Sequence, residues 1–576
     1  MEILVYDELI IKRSFIYRQL EEKYNKLKKV IKKTIERKDY TRKRKSFYDS
    51  STKNQNNFKN EMKTSMKFSS QLANAVGLKI RKIIVAPMET PETEANIEIF
   101  IEKKNDASVE SKELSKASYI KDKSNISDAT YQSLITHLGL KLFSLRKIRN
   151  NNKRLNEMIV VKENDYGYFI NIKQKLKIIL KLLIEKNMVT FANNIIYINL
   201  AGDSTNIYQG NKTLLISFSI LNEKRSNTAY GTYIIGIFSI KEENYECIQK
   251  CVEQIKEQYF HLNSIKIGKK RFSIEKYIGG DWKFLALVKG IMAANSNIPC
   301  QYCHCHKHFA TSENYKDVQY SITDKFGNNR TLSKAKMYVK EGKKTHGYIE
   351  NPIFDFIEFL RSIPDVPHMF LRVTGKISKL FYKKCQEQDG FKNTKNAENY
   401  IGFLQEMCGI SNALARDSKT GKLKLRDLKG EEYEQISEHI EFLSDGFKTL
   451  ENIEALMNIW KGFFDILKKI KMDELTSEDI KLKTLEWFGV FLSVYSNKDV
   501  TPYIHTFVYH MHEFHEMLSK INLKINQFSL QGVEKKNDLV TSQYYRGTNR
   551  HFKKCLKFIL LKNNRIDFLS LEQIQP

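Results

Sequence analysis

The chain has 576 residues, 41% of them hydrophobic, with 95 Lys and Arg against 67 Asp and Glu, a formal net charge of +28. That size and apolar content exclude a wholly disordered chain and leave room for several domains with cores of their own. The charge makes a polyanion the expected partner, nucleic acid first.

Eight cysteines, unevenly placed, do not make a disulfide framework, whereas Cys300, Cys303 and Cys305 lie together and point to a metal site in a reducing compartment. No run approaches the ~18 apolar residues of a membrane span, and the start MEILVYDELIIKR lacks the charged n-region of a leader. A soluble intracellular protein with no membrane partner is expected.

In chain order, residues 1–65 read as a basic helical arm and linker. Between Lys12 and Lys45 there are 15 Lys/Arg and 4 Asp/Glu, with Ile16, Leu20, Tyr24, Leu27, Ile31 and Ile35 at helical spacing. The cluster at 42–45 resembles a nuclear-import signal, so a nuclear location is expected. A solvated helix with one core-facing stripe explains the same pattern. Residues 66–187 read as α/β and then helical. Within them SDATYQSLITHLGL and the basic KLFSLRKIRNNNKRLNEM form a helix, turn and helix suited to DNA binding or dimerisation, or simply to packing.

From 188 to 309 the texture changes. IIYINLAGDSTNI, KTLLISFSIL and TAYGTYIIGIFSI are strand-like, NYECIQKCVEQIKEQYF is an amphipathic helix, and SIKIGKKRFSIEKYIGGD holds a further strand or two. Three strands, a helix and another strand match the start of an α/β ribonuclease-H-like core. Asp203 is expected at the end of the first strand and Asp281 at the end of a later one. Residues 310–515 read as a large all-α insertion, and residues 516–576 as the helical C-terminal part of the core.

Two constellations carry chemistry. Asp203, Asp281 and Glu534 are hard oxygen ligands suited to two Mg²⁺ or Mn²⁺ ions at a phosphodiester-cleaving site. Taken singly, Asp203 also fits a turn, Asp281 a helix cap, and Glu534 an exposed helical charge. Cys300 and Cys303 as Cys-x-x-Cys, with His505 and His510 as His-x₄-His, fit one tetrahedral structural zinc that would brace the insertion. A local ligand set from His304, Cys305, His306 and His308, or from His512 and His515, stays open.

GGDWKFLALVKGIMAANSNIPCQYC, RDSKTGKLKLRDLKGEEYE at 416–434, PYIHTFVYH and GVEKKNDLVTSQYYRGTNR together resemble the catalytic core of the family of recombination-activating protein one and the Transib transposases, over about residues 188–566. The resemblance implies that Asp203, Asp281 and Glu534 form a DDE metal site and that Cys300, Cys303, His505 and His510 bind zinc. His368, in PHMFLRVTGKISKLF, would lie beside the scissile phosphate, a packed interior histidine being the alternative. The implied activity is DNA cleavage and strand transfer at transposon terminal inverted repeats, followed by joining to target DNA, by a homodimer. Asn537, Tyr545, Arg546, Asn549 and Arg550, on the helix of Glu534, are candidate nucleic-acid contacts, or else part of a solvated basic helix. Two further readings stand beside this one: a host-retained, catalytically silent transposase-derived DNA-binding protein, and a nuclease of another DDE superfamily such as a hAT-like element.

Overall fold

Apolar runs between 161 and 280 build one sheet, and the helices that follow are threaded around a second, aromatic-rich core. The computed structural model describes residues 78–83, 97–101, 107–138, 142–191, 193–208, 211–342, 345–389, 395–416, 423–447, 450–548 and 552–574. The arm and linker expected over 1–65, including the cluster at 42–45, lie outside the described residues.

In chain order the elements begin with β1 (Leu78–Ile83), β2 (Ile97–Ile101), α1 (Ala107–Lys123), α2 (Asp128–Leu138), α3 (Leu145–Glu157), β3 (Val161–Asn164), β4 (Gly167–Ile170) and α4 (Ile172–Glu185). Then come β5 (Ile195–Tyr208), β6 (Asn211–Ile220), β7 (Thr232–Ile240), α5 (Tyr245–Phe260), β8 (Ser264–Ile267), β9 (Lys270–Gly280) and α6 (Trp282–Val288). The helical stretch holds α7 (Leu332–Lys340), α8 (Val366–Asp389), α9 (Lys395–Gly402), β10 (Leu414–Arg416), β11 (Leu423–Leu425), α10 (Gly430–His439), α11 (Ile453–Met472), α12 (Ser477–Val494), α13 (Pro502–Tyr509) and α14 (Met511–Ser519). The chain closes with α15 (Gln531–Gly547) and α16 (Phe552–Glu572).

These elements form two compact units. One comprises the described residues up to Lys162, Ile178–Lys186 and the described residues from Val540 onward; the other comprises Glu163–Lys177 and Asn187–Leu539. In the first, Arg565 donates to Asp122 at 2.7 Å and to Asn156 at 2.9 Å. With side-chain exposures of 5% and 6%, the Arg565–Asp122 ions are partners that neither can lose without leaving a buried charge. The basic α3 buries Ile148, Asn151 and Leu155 and leaves Arg146, Lys147, Arg149, Lys153 and Arg154 exposed; Lys147 and Arg149 pair with Glu110 and Asp128.

The second unit is organised on a mixed seven-stranded sheet in the order β3-β4-β7-β6-β5-β9-β8. β7 is buried at almost every position, as in a strand covered on both faces. β9 starts exposed and ends in four buried residues, so it enters the core as it approaches Gly280. β5 pairs antiparallel with β6 and parallel with β9, from Ile195↔Ser273 to Gly202↔Gly280. A parallel neighbour requires a crossover, which β6, β7 and α5 supply. Asn244 caps α5 by accepting from the Cys247 N–H at 2.9 Å. The buried Tyr259 hydroxyl of α5 lies 2.9 Å from the Ile198 carbonyl and 3.0 Å from that of Tyr277, fastening the helix over both strands.

Three expectations change. The 161–170 hairpin, placed by the sequence outside the core that was to begin at 188, belongs to the sheet: β4 pairs with β7, and a Cβ on Gly167 would lie 2.2 Å from the Ile237 carbonyl oxygen. The insertion expected to be all-α contains the short β10–β11 ladder, whose Leu-Lys-Leu alternation has the period of a strand. Asp203 is not at a strand end, because β5 runs on to Tyr208 in its pairing with β6. What stops at Asp203 is the parallel pairing with β9.

The helical stretch buries Trp460, Phe463, Trp487, Phe488, Phe491 and Phe507 in one core, with Trp487 Nε1 donating to the Ile459 carbonyl at 2.8 Å. Thr476 and Asp479 form a capping box on α12, and Thr501 with Pro502 starts α13.

Gly202 and Gly280 are register partners, and a Cβ on them would lie 2.1 and 2.3 Å from the Phe284 ring. Gly202→Ala is expected to lower stability by about 1–3 kcal/mol in urea denaturation. Gly402→Ala, a helical position where a Cβ meets nothing within 4 Å, should be neutral or stabilising.

Candidate functional site

The acid cluster follows from strand register. With Gly202 opposite Gly280, the next residues on the two strands are Asp203 and Asp281, and neighbouring strands are ~4.8 Å apart. Asp281 ends the strand and caps α6, its Oδ1 accepting from the Phe284 N–H at 2.7 Å. Glu534 enters on the first turn of α15, whose Val533, with Leu530 just ahead of the helix, packs on Ala201 of β5. One turn on, the buried Asn537 amide donates to Asp203, whose other oxygen accepts from the Ser204 N–H at 2.8 Å.

Like charges in one place disfavour ionisation. Burial first, then Glu534 and Asp281, push the Asp203 carboxyl up to about 7. Glu534 is also raised: by burial foremost, with His368 opposing and Asp365 and Asp281 adding to it.

His368 sits between these acids and a fourth, Asp365. Its Nδ1 is 2.6 Å from Asp365 Oδ2 and its Nε2 is 3.6 Å from Glu534 Oε1. Burial favours the neutral ring, but the Asp365 bond and charge, with Glu534 and Asp281, outweigh it and raise His368 to about 9. The imidazole is therefore a cation at neutral pH. Asp365 also caps α8, accepting from the His368 N–H at 2.9 Å, and its Oδ1 accepts from the Leu530 N–H at 2.8 Å, just ahead of α15. One buried carboxylate thus orients His368 and seats the helix that carries Glu534. Asp365 was not singled out from the sequence; the signal was an Asp followed by Pro367 at a helix start.

The second cluster has a donor set of the Cys₂His₂ kind that could hold a metal ion. Cys300, Cys303, His505 and His510 are all buried, and their ligand atoms all lie within 4.8 Å of one another. His505 Nε2 is 3.0 Å from His510 Nε2 and 3.3 Å from Cys303 Sγ, and His510 Nε2 is 3.4 Å from that sulfur. These separations approach the ~3.3–3.8 Å edges of a tetrahedron with Zn–N and Zn–S bonds of ordinary length. His510 Nδ1 contacts Glu513 Oε2 at 3.1 Å, which turns Nε2 inward, and Glu513 is itself held by Ser321 and the Ile322 N–H. Burial raises the Cys303 thiol, so closing the site on a metal releases its proton. The cluster can hold a metal ion such as zinc. His304, Cys305, His306, His308, His512 and His515 are not in it.

A small cleft is lined by Asp281, Trp282 and His368 of the acid cluster and by Gln301, Tyr302 and Thr506 beside the Cys₂His₂ cluster. Among the proposed nucleic-acid contacts, Asn537 is buried against Asp203 and Tyr545 is 43% exposed. Arg546 is exposed as well, and Asn549 and Arg550 lie outside the described residues. Neither the comparison with protein-family models nor that with curated proteins finds a match.

Two outcomes are expected. The purified protein should carry about one equivalent of zinc by elemental analysis; Cys303→Ser should lose it and melt at lower temperature, as should wild type treated with a chelator. For Asp203, the native carboxyl keeps its proton to about 7 whereas an ordinary one loses it at 3.8, so stability falls as pH rises through that window. In the absence of divalent ions Asp203→Asn should therefore gain about 1–3 kcal/mol over wild type at pH 8 and almost nothing below pH 4, read from urea midpoints.

Proposed function

We propose that the chain is a DDE-type DNA transposase or recombinase on a ribonuclease-H-like core, acting in DNA strand cleavage and strand transfer. The observation that carries the proposal is the meeting of Asp203, Asp281 and Glu534, from two neighbouring parallel strands and a helix, beside a cationic histidine. The sheet is consistent with it: β5, β6 and β7 run antiparallel in sequence, and β9 adds in parallel to β5 on the other side.

Asp203, Asp281 and Glu534 offer hard oxygens that suit Mg²⁺ or Mn²⁺, which when bound would activate a nucleophilic water or 3′-hydroxyl and stabilise the leaving oxygen. Asn537 holds Asp203 in place, and the cap bond to Phe284 holds Asp281. His368, kept protonated by Asp365, can donate to a phosphate oxygen or deliver a proton to the departing 3′-oxygen. The net charge of +28 fits a long polyanionic substrate, double-stranded DNA. Two element ends and a target require two such sites, hence a homodimer. The metal centre would brace the helical stretch against the core that carries the acids.

The test is nicking of plasmid and inverted-repeat DNA in Mg²⁺ or Mn²⁺. Glu534→Gln should lose at least ~10²-fold in nicking rate while binding DNA as wild type does. Cleavage unaffected by Glu534→Gln, or absent from wild type that binds DNA, would overturn the nuclease assignment.

A further inference from the structure

Between Cys300 and Cys303 stand Gln301 and Tyr302, and both side chains are buried. Gln301 is fully buried. Its Nε2 donates to the Trp282 carbonyl at 3.0 Å, and its Oε1 accepts from Lys289 Nζ at 3.2 Å. Trp282 is the first residue of α6 and Lys289 is its C-cap, so one side chain grips both ends of a seven-residue helix. That is possible because helical side chains lean toward the N-terminus, which lets the long lysine reach back along its own helix. Lys289 Nζ also lies 4.6 Å from the centre of the Tyr302 ring and, among the described residues, pairs with no carboxylate. The loop behind these bonds is stiff: Arg330 donates through Nε to the Cys300 carbonyl at 2.8 Å and through its backbone N–H to the Tyr302 carbonyl at 2.8 Å.

The residue that caps α6 is Asp281. We infer that Gln301 is a positioning residue that couples the metal centre to the acid cluster: closing Cys300 and Cys303 on a metal fixes the Gln301 backbone, Gln301 fixes α6, and α6 fixes the carboxylate at its N-cap. The coupling rests on the reading of Asp203, Asp281 and Glu534 as a cation site. It requires no contact between Gln301 and substrate, and it gives the metal centre a consequence for the acids beyond general stability.

Two metal probes separate the ends of the relay. Co²⁺ replaces zinc in the centre and reports through its thiolate charge-transfer absorption, while Mn²⁺ binding to the acids is followed by electron paramagnetic resonance, with Glu534→Gln as the reference for loss of that site. Gln301→Leu is expected to keep the Co²⁺ absorption and to weaken Mn²⁺ binding about tenfold, the scale of losing an outer-shell partner. Lys289→Met, which leaves the bond to Trp282 in place, should give a smaller loss in the same direction. It also decides the matter if Gln301→Leu fails to take up Co²⁺, since Mn²⁺ affinity unchanged in Lys289→Met would then overturn the coupling. Mn²⁺ binding that depends on Glu534 yet is unchanged in a Co²⁺-competent Gln301→Leu protein overturns the coupling alone. Wild type and Glu534→Gln binding Mn²⁺ alike would overturn the cation site itself, and the coupling with it.

Discussion

The parallel pairing of β5 with β9 is the constraint from which the acid cluster follows. Once Gly202 stands opposite Gly280, the two succeeding carboxylates start from the same level of the sheet, Asp203 within β5 and Asp281 at the cap that follows β9. The glycine pair also sets where β9 ends: Phe284 fills the space that two side chains would occupy, which draws α6 onto the sheet and makes Asp281 its cap. Replacing either glycine would therefore act on packing and on carboxylate geometry together.

Such an arrangement is electrostatically unfavourable by itself. Burial and mutual repulsion hold Asp203 partly protonated near neutral pH, and the structure relieves the remainder with the Asn537 amide, the Ser204 N–H and a histidine kept cationic by Asp365. This gathering of acids, with polar groups aimed at each, is the feature on which the proposed cation site rests. Asp365 is the junction of the arrangement, since it caps α8, orients His368 and receives the N–H ahead of α15.

The metal centre solves a different problem. Cys303 and His505 are separated by 202 positions in the chain, and the segment between them supplies most of an aromatic-rich core that also takes in Tyr197 and Tyr277 of the sheet and Phe507 and Phe514 beyond His505. Closed on a metal, the four side chains would tie the end of that segment back to the loop that follows α6, opposing the chain entropy of so long a closure. Gln301, between the two cysteines, bonds to both ends of the helix that Asp281 caps.

What the sequence by itself determined was local. Cys-x-x-Cys and His-x₄-His encode their geometry in spacing, strands such as TYIIGIFSI announce themselves by continuous β-branched and aromatic residues, and Asn244, Thr476 and Thr501 mark helix starts by the chemistry of caps. Asp281 could be named because it follows a strand and opens a helix, but the assembly of the acids was not written in any spacing, and four nearby facts were misread or missed. Asp203 lies inside a long strand rather than at its end, the 161–170 hairpin joins the sheet, and nothing in the sequence around Asp365 and Gln301 announces the distant partners they bond to. Only the tertiary structure decided these, because strand register, the edge a hairpin chooses and the partner of a buried side chain depend on residues far away in the chain, whose nearness is a property of packing and not of order.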